Sequence, residues 1–153
     1  MKNRASFVIL LNEKGVLPQG IHDCSIEEVA ARFGGFQQSD RRPQLWAQVM
    51  EFLDEVRESR LAVSVLINGS FATGNPSPND IDLILVVPSS HDFARDLSPA
   101  QYNVLSAQRV KRRHRLDLLV AMEDSDQYWR SLRLFQQVRL APGQTKGKLR
   151  VTL

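Results

Sequence analysis

With 153 residues, 42% hydrophobic and 24% charged, the chain can build one ordinary core but not a second domain, so residues 1–153 are read as a single unit. A formal net charge of +3 is too mild to mark a general polyanion binder, and the single cysteine, Cys24, excludes an internal disulfide or a clustered-thiolate metal site. No apolar stretch reaches membrane-spanning length, and Phe7-Val8-Ile9-Leu10-Leu11 is too short for a signal peptide, which points to a cytoplasmic protein with no membrane partner.

Residues 6–11 read as a short strand, and Gly15, Pro18 and Gly20 then enforce a loop. Ser25 with Glu28 makes a capping box ahead of Ile26, Val29, Ala30 and Phe33 at helical spacing. His22 and Cys24 lie two apart, without an orienting partner for thiol catalysis, so turn or cap roles suit them better. After Gly34-Gly35, Leu45, Trp46, Val49, Phe52, Leu53 and Val56 line one face of a longer helix, with Trp46 as a core residue. Residues 61–67 are a buried strand, 70–73 a turn of helix at most, and 81–87 a second strand ended by Pro88. Residues 98–109 form a helix from Ser98 and Pro99, 115–121 a third strand, 126–137 a helix, and 148–153 an edge strand.

The chemistry concentrates between Leu66 and Leu83. Gly69-Ser70 ends the strand over 61–67, and the next strand opens with Asp80 and Asp82, whose side chains share a face because i and i+2 of a strand point the same way. Two carboxylates interrupting a strand that is otherwise apolar on both faces are costly to bury without a countercharge, and hard oxygen ligands suit magnesium. Ordinary turn and cap chemistry is the competing account of these acids. Gly69 and Gly74 have P-loop spacing, but Asn75 and Pro76 stand where that loop needs Lys and Ser or Thr. Asp-x-Asp could open an EF-hand loop, yet Leu83-Ile84-Leu85-Val86 follows without the glycine or the terminal Glu.

Gly69-Ser70 followed, after residues 71–79, by Asp80-Ile81-Asp82-Leu83 resembles the signature of the DNA polymerase beta-like nucleotidyltransferases, especially the small minimal nucleotidyltransferases of prokaryotes. The leader Leu17-Pro18-Gln19-Gly20-Ile21-His22 and the ending Lys146-Gly147-Lys148-Leu149-Arg150-Val151-Thr152-Leu153 are similar to a poorly characterised bacterial branch of that superfamily. The resemblance implies an α/β (α+β) fold, a mixed β-sheet with helices packed mainly on one face, with the core motif over 61–121. It further implies a third acid on a neighbouring strand, which falls on Asp117 in Arg115-Leu116-Asp117-Leu118-Leu119-Val120. Asp80, Asp82 and Asp117 would then be catalytic and would hold Mg2+, with a two-metal clamp about 3.5–4 Å wide as the expected chemistry. Gly69 and Ser70 would approach the phosphates of ATP or another nucleoside triphosphate.

The basic run Arg109, Lys111, Arg112, Arg113, His114 and Arg115 precedes Asp117. It is either a solvated turn or an anion site, in which Arg113 and Arg115 share the strand face of Asp117 and touch nucleotide phosphates or RNA. A carboxylate at 117 paired with Arg113 or Arg115 is the alternative to a catalytic one. Two departures from the superfamily pattern stand out: Asn68 precedes Gly-Ser, and Phe71-Ala72-Thr73 brings no arginine after it. The reading is therefore a nucleotidyltransferase that moves AMP from ATP onto a protein or RNA acceptor, with a toxin–antitoxin or defence pair as a setting. The alternative is an inactive binding module of the same fold, serving as an antitoxin or RNA binder.

Overall fold

The computed structural model describes residues 11–13, 15–136 and 146–153, with the side chains of 135 and 136 excepted. The strand expected over 6–11 lies almost wholly outside the described residues. Along the chain follow β1 (Ile21–Asp23), α1 (Ile26–Phe33), α2 (Arg41–Ser59), β2 (Ser64–Asn68), a 3-10 turn (Ser70–Ala72) and β3 (Asp82–Val87). After them come α3 (Pro99–Leu105), α4 (Ala107–His114), β4 (Asp117–Met122), α5 (Asp126–Gln136) and β5 (Lys148–Thr152). The strands form one mixed sheet in the order β1-β5-β2-β3-β4, so the class is α+β.

Period-two side-chain alternation divides the strand residues between two cores. Val65, Ile67, Leu83, Leu85, Leu118, Leu149 and Val151 pack with Val29 and Phe33 of α1, Leu45, Val49, Phe52, Leu53 and Val56 of α2, Val104 of α3 and Val110 of α4. The opposite side chains, Leu66, Ile84, Val86 and Ala121, meet Tyr128 and Leu132 of α5 in a smaller cluster. Helices therefore lie mainly, though not wholly, on one face. Truncating a fully buried residue such as Phe52 or Leu53 should cost about 3 kcal/mol.

Local chemistry fixes the helix ends. Ser25 Oγ accepts from Glu28 N at 3.1 Å while Ser25 N donates to Glu28 Oε1, the reciprocal cap expected from sequence. Ser98 and Gln101 repeat it at α3. The helix expected over 98–109 breaks at Ser106, whose extended backbone ends α3 and whose hydroxyl accepts from Arg109 N at 3.3 Å to start α4. As a result the basic run is helical up to His114 rather than part of a strand. Arg115, at φ 58°, takes the left-handed residue after α4 and turns the chain into β4.

One placement differs from expectation for a physical reason. Residues 148–152 do not form an edge: β5 pairs antiparallel with β2 on one side and parallel with β1 on the other. The short strand Ile21–Asp23 lies in the leader, where no periodicity marks a three-residue element, and it covers β5. Its fit is close. Gly147 N donates to Leu17 O at 3.0 Å, and a Cβ on Gly147 would stand 2.0 Å from Pro18 O. His22 Nε2 donates to Pro18 O at 2.7 Å, while Cys24 is buried with its thiol 3.8 Å from Arg150 O, so no thiol–imidazole pair forms.

Candidate functional site

Three neighbouring strands each bring a polar residue to one end of the sheet. Asn68 of β2 is in register with Asp82 of β3, and Asp82 with Asp117 of β4. Registered neighbours point to the same face, about 5 Å apart, so the two carboxylates stand side by side. Further along that face the residues turn apolar, through Leu66 and Ile84 to Val86 and Ala121. Asp82 and Asp117 also open into one cleft of about 290 Å³, whose other lining residues are Ala107, Lys111, Leu116, Leu118 and Leu119.

Asp80 precedes β3, with buried Ile81 between it and Asp82. The Gly-Ser turn grips it. Ser70 N donates to Asp80 Oδ1 at 3.1 Å, the Ser70 hydroxyl donates to the same oxygen, and Ser70 Oγ accepts from Asn79 N and Asp80 N at 3.0 and 3.1 Å. Phe71 N closes the turn on Asp80 O at 3.1 Å. The Ser70 donors expected for phosphate are thus turned onto the first aspartate. Gly69 explains how the strands come so close: its φ is +84°, and a Cβ there would meet Asp80 O and Asp82 N at 3.1 Å and Ile81 Cα at 3.2 Å. A glycine is required on both counts.

The loop between the turn and the carboxylates is held by two residues that no sequence motif singles out. The buried Arg42 guanidinium donates to the carbonyls of Phe33 (3.1 Å), Phe71 (2.7 Å), Thr73 (2.6 Å) and Asn75 (3.0 and 2.5 Å). Burial, with Arg32 nearby, lowers its pKa, and five charge-assisted bonds compensate the lost hydration. Its neighbour Arg41 donates to Pro78 O and Asn79 O, both at 3.1 Å. A detectable signal existed: two arginines in the first turn of a helix oppose its dipole and call for a separate reason.

The basic run is distributed differently from the expectation. Arg113 is committed to Glu55 of α2, at 2.8 and 2.5 Å, which removes it from the strand face assigned to it. Burial alone would raise the Glu55 carboxyl, but hydrogen bonds and charge from Arg113 and His114 outweigh it and hold the pKa below the ordinary glutamate value. Arg115 serves as the turn residue after α4 and does not line the cleft. Lys111 is the cleft's basic side chain, with Nζ 2.8 Å from Asp117 Oδ1. The carboxylate at 117 is therefore ion-paired, though to Lys111 and not to Arg113 or Arg115. Helix α4 conceals this pair from a strand-based reading, because Lys111 and Asp117 belong to different elements.

Asp82 and Asp117 suit one hydrated magnesium, which commonly takes one or two protein carboxylates and keeps several waters. The three-carboxylate, two-metal arrangement is a different matter. Among the described residues no group of three or more His, Cys, Asp or Glu converges to hold a metal ion, and Asp80 is engaged by Ser70.

These features define an α+β protein with a mixed sheet and a paired-carboxylate cleft at one sheet end. The chain belongs to a family of unknown function, DUF6932, whose model matches residues 9–152. No curated protein and no solved structure matches it. No helix among the described residues is long and apolar enough to cross a membrane.

Proposed function

We propose that this protein is a magnesium-dependent nucleotidyltransferase that moves a nucleoside monophosphate, AMP from ATP, onto a protein or RNA acceptor in the cytoplasm. The observation that carries the reading is the registration of Asp82 with Asp117 on adjacent parallel strands, opening into one cleft with Asp80 two residues away. A bound cation would neutralise charge on the triphosphate as pyrophosphate leaves. Asp82 would hold that cation from β3, while Ser70 fixes Asp80 just ahead of the strand. Asp117 receives the proton of the acceptor hydroxyl as its oxygen bonds to the α-phosphorus and the bond to pyrophosphate breaks. The Arg42-braced loop fixes the chain that leads from the Gly-Ser turn to Asp80 and Asp82, the kind of rigid scaffold that in-line displacement requires.

The inactive binding module is favoured by one observation, the Lys111–Asp117 ion pair, which supplies a countercharge from the protein itself. Transfer of label from each α-labelled nucleoside triphosphate to cell lysate separates the two. Wild-type protein is expected to label an acceptor, and Asp82→Ala and Asp117→Ala to lose at least a hundredfold of that rate. Equal labelling by all three removes the transferase reading.

A further inference from the structure

We propose that Lys111 is an exchangeable countercharge that makes the cleft select a cation already complexed to polyphosphate over the bare cation; this rests on the reading of Asp82 and Asp117 as a cation site. Lys111 and Asp117 are 59% and 53% exposed, and an ion pair so well hydrated is held by less than about a tenfold preference, so it opens readily. The ammonium is a compact charge on a flexible stem, able to change partner without backbone movement. Two other basic side chains of α4 are committed elsewhere, Arg113 to Glu55 and Arg109 to Asn103 at 2.8 Å with its guanidinium over Tyr102, and Arg112 does not line the cleft. Lys111 alone among the lining residues brings positive charge into the space shared by Asp82 and Asp117.

A divalent ion arriving at that carboxylate pair meets the Lys111 charge at close range. At about 6 Å, even with full aqueous screening, the repulsion between single and double positive charges weakens bare-ion binding about tenfold. A cation carrying a triphosphate arrives with net negative charge, and the released ammonium then turns from Asp117 to a phosphate oxygen. This supplies the positive charge that the sequence lacks after Ser70. The same residue thus opposes one ligand and favours the other.

The test is calorimetric titration of Lys111→Ala and Lys111→Arg against wild type, first with Mn2+ alone and then with a non-hydrolysable ATP analogue at saturating Mg2+. Lys111→Ala is expected to bind Mn2+ about tenfold more tightly and the magnesium–triphosphate about tenfold more weakly, with Lys111→Arg near wild type in both. Urea unfolding midpoints confirm that the variants are folded. Shifts of the same sign, or none while wild type binds both ligands, overturn the role of Lys111 and leave the cation site standing. Failure of wild type and Lys111→Ala alike to bind either ligand overturns the site and the exchange together.

Discussion

Gly69→Ala probes the join between the turn and the carboxylate strand. At φ +84° and ψ −174°, Gly69 occupies a backbone region that L residues essentially never adopt, and forcing alanine there costs about 1–3 kcal/mol. The added Cβ would meet three backbone atoms of residues 80–82 at 3.1–3.2 Å, so relief requires moving the start of β3 rather than a side-chain tip. Together these effects place the loss near 3 kcal/mol, or roughly 6–12 °C in Tm for a domain of this size. Gly35→Ala is the matched control, since a methyl group there would meet nothing within 4 Å and the φ of Gly35 is ordinary; it should change stability by under about 1 kcal/mol. Both are read by urea and thermal unfolding. A Gly69→Ala protein within 0.5 kcal/mol of wild type, by the ~0.3–0.5 kcal/mol scale on which independent changes add, would refute the claim that the turn and strand are locked together.

Three further outcomes concern buried or partly buried charge. Arg42→Met leaves the carbonyls of Phe33, Phe71, Thr73 and Asn75 without their shared donor and should cost about 3 kcal/mol, seen as a lowered urea midpoint; a neutral result would mean that the loop is held otherwise. Lys148 is buried with Nζ on Leu132 O at 3.1 Å, and desolvation lowers its pKa. Because the unfolded lysine, near 10.4, binds the proton more tightly, the wild type gains stability as pH rises toward that value. Lys148→Met should therefore equal or exceed wild type by about 1 kcal/mol at pH 7, with the difference shrinking in alkaline urea titrations. Glu55 has a depressed pKa, so its contribution is present above about pH 4.3, the ordinary glutamate value, and is lost as pH falls through the folded value. Glu55→Gln should flatten acid unfolding curves over that range, and a double-mutant cycle with Arg113→Ala should give a coupling of about 0.5–1 kcal/mol, modest because Arg113 is 39% exposed.

The parts legible in sequence were those written in short-range patterns. The capping box at Ser25, the Ser98-Pro99 helix start, the apolar stripe from Leu45 to Val56 and the near-continuous apolar run in 81–87 each specify an element from residues within a few positions of one another. The register of Asp82 with Asp117 puts the two on adjoining strands, a neighbourhood that only the family resemblance implied and no local pattern records. What was illegible depends on contacts between distant segments. The break at Ser106 requires that a serine end one helix and start the next, and a single helix over 98–109 therefore leaves residues 110–114, which belong to α4, outside any helix. The commitments of Arg42, Arg113 and Lys111 arise from packing of α2, α4 and the 71–79 loop, which no local periodicity records.

The position of β5 governs how the molecule can be made. Among the described strands it is last in chain order, yet it sits between β1 and β2. While a ribosome is still adding residues before 148, β2 shows a bare, apolar flank and β1 has no companion, a surface that invites capture by other nascent chains or by chaperones. Completion of the sheet therefore waits until residues 148–152 have been made, and a chain cut short before them would lack a central plank, not a fringe.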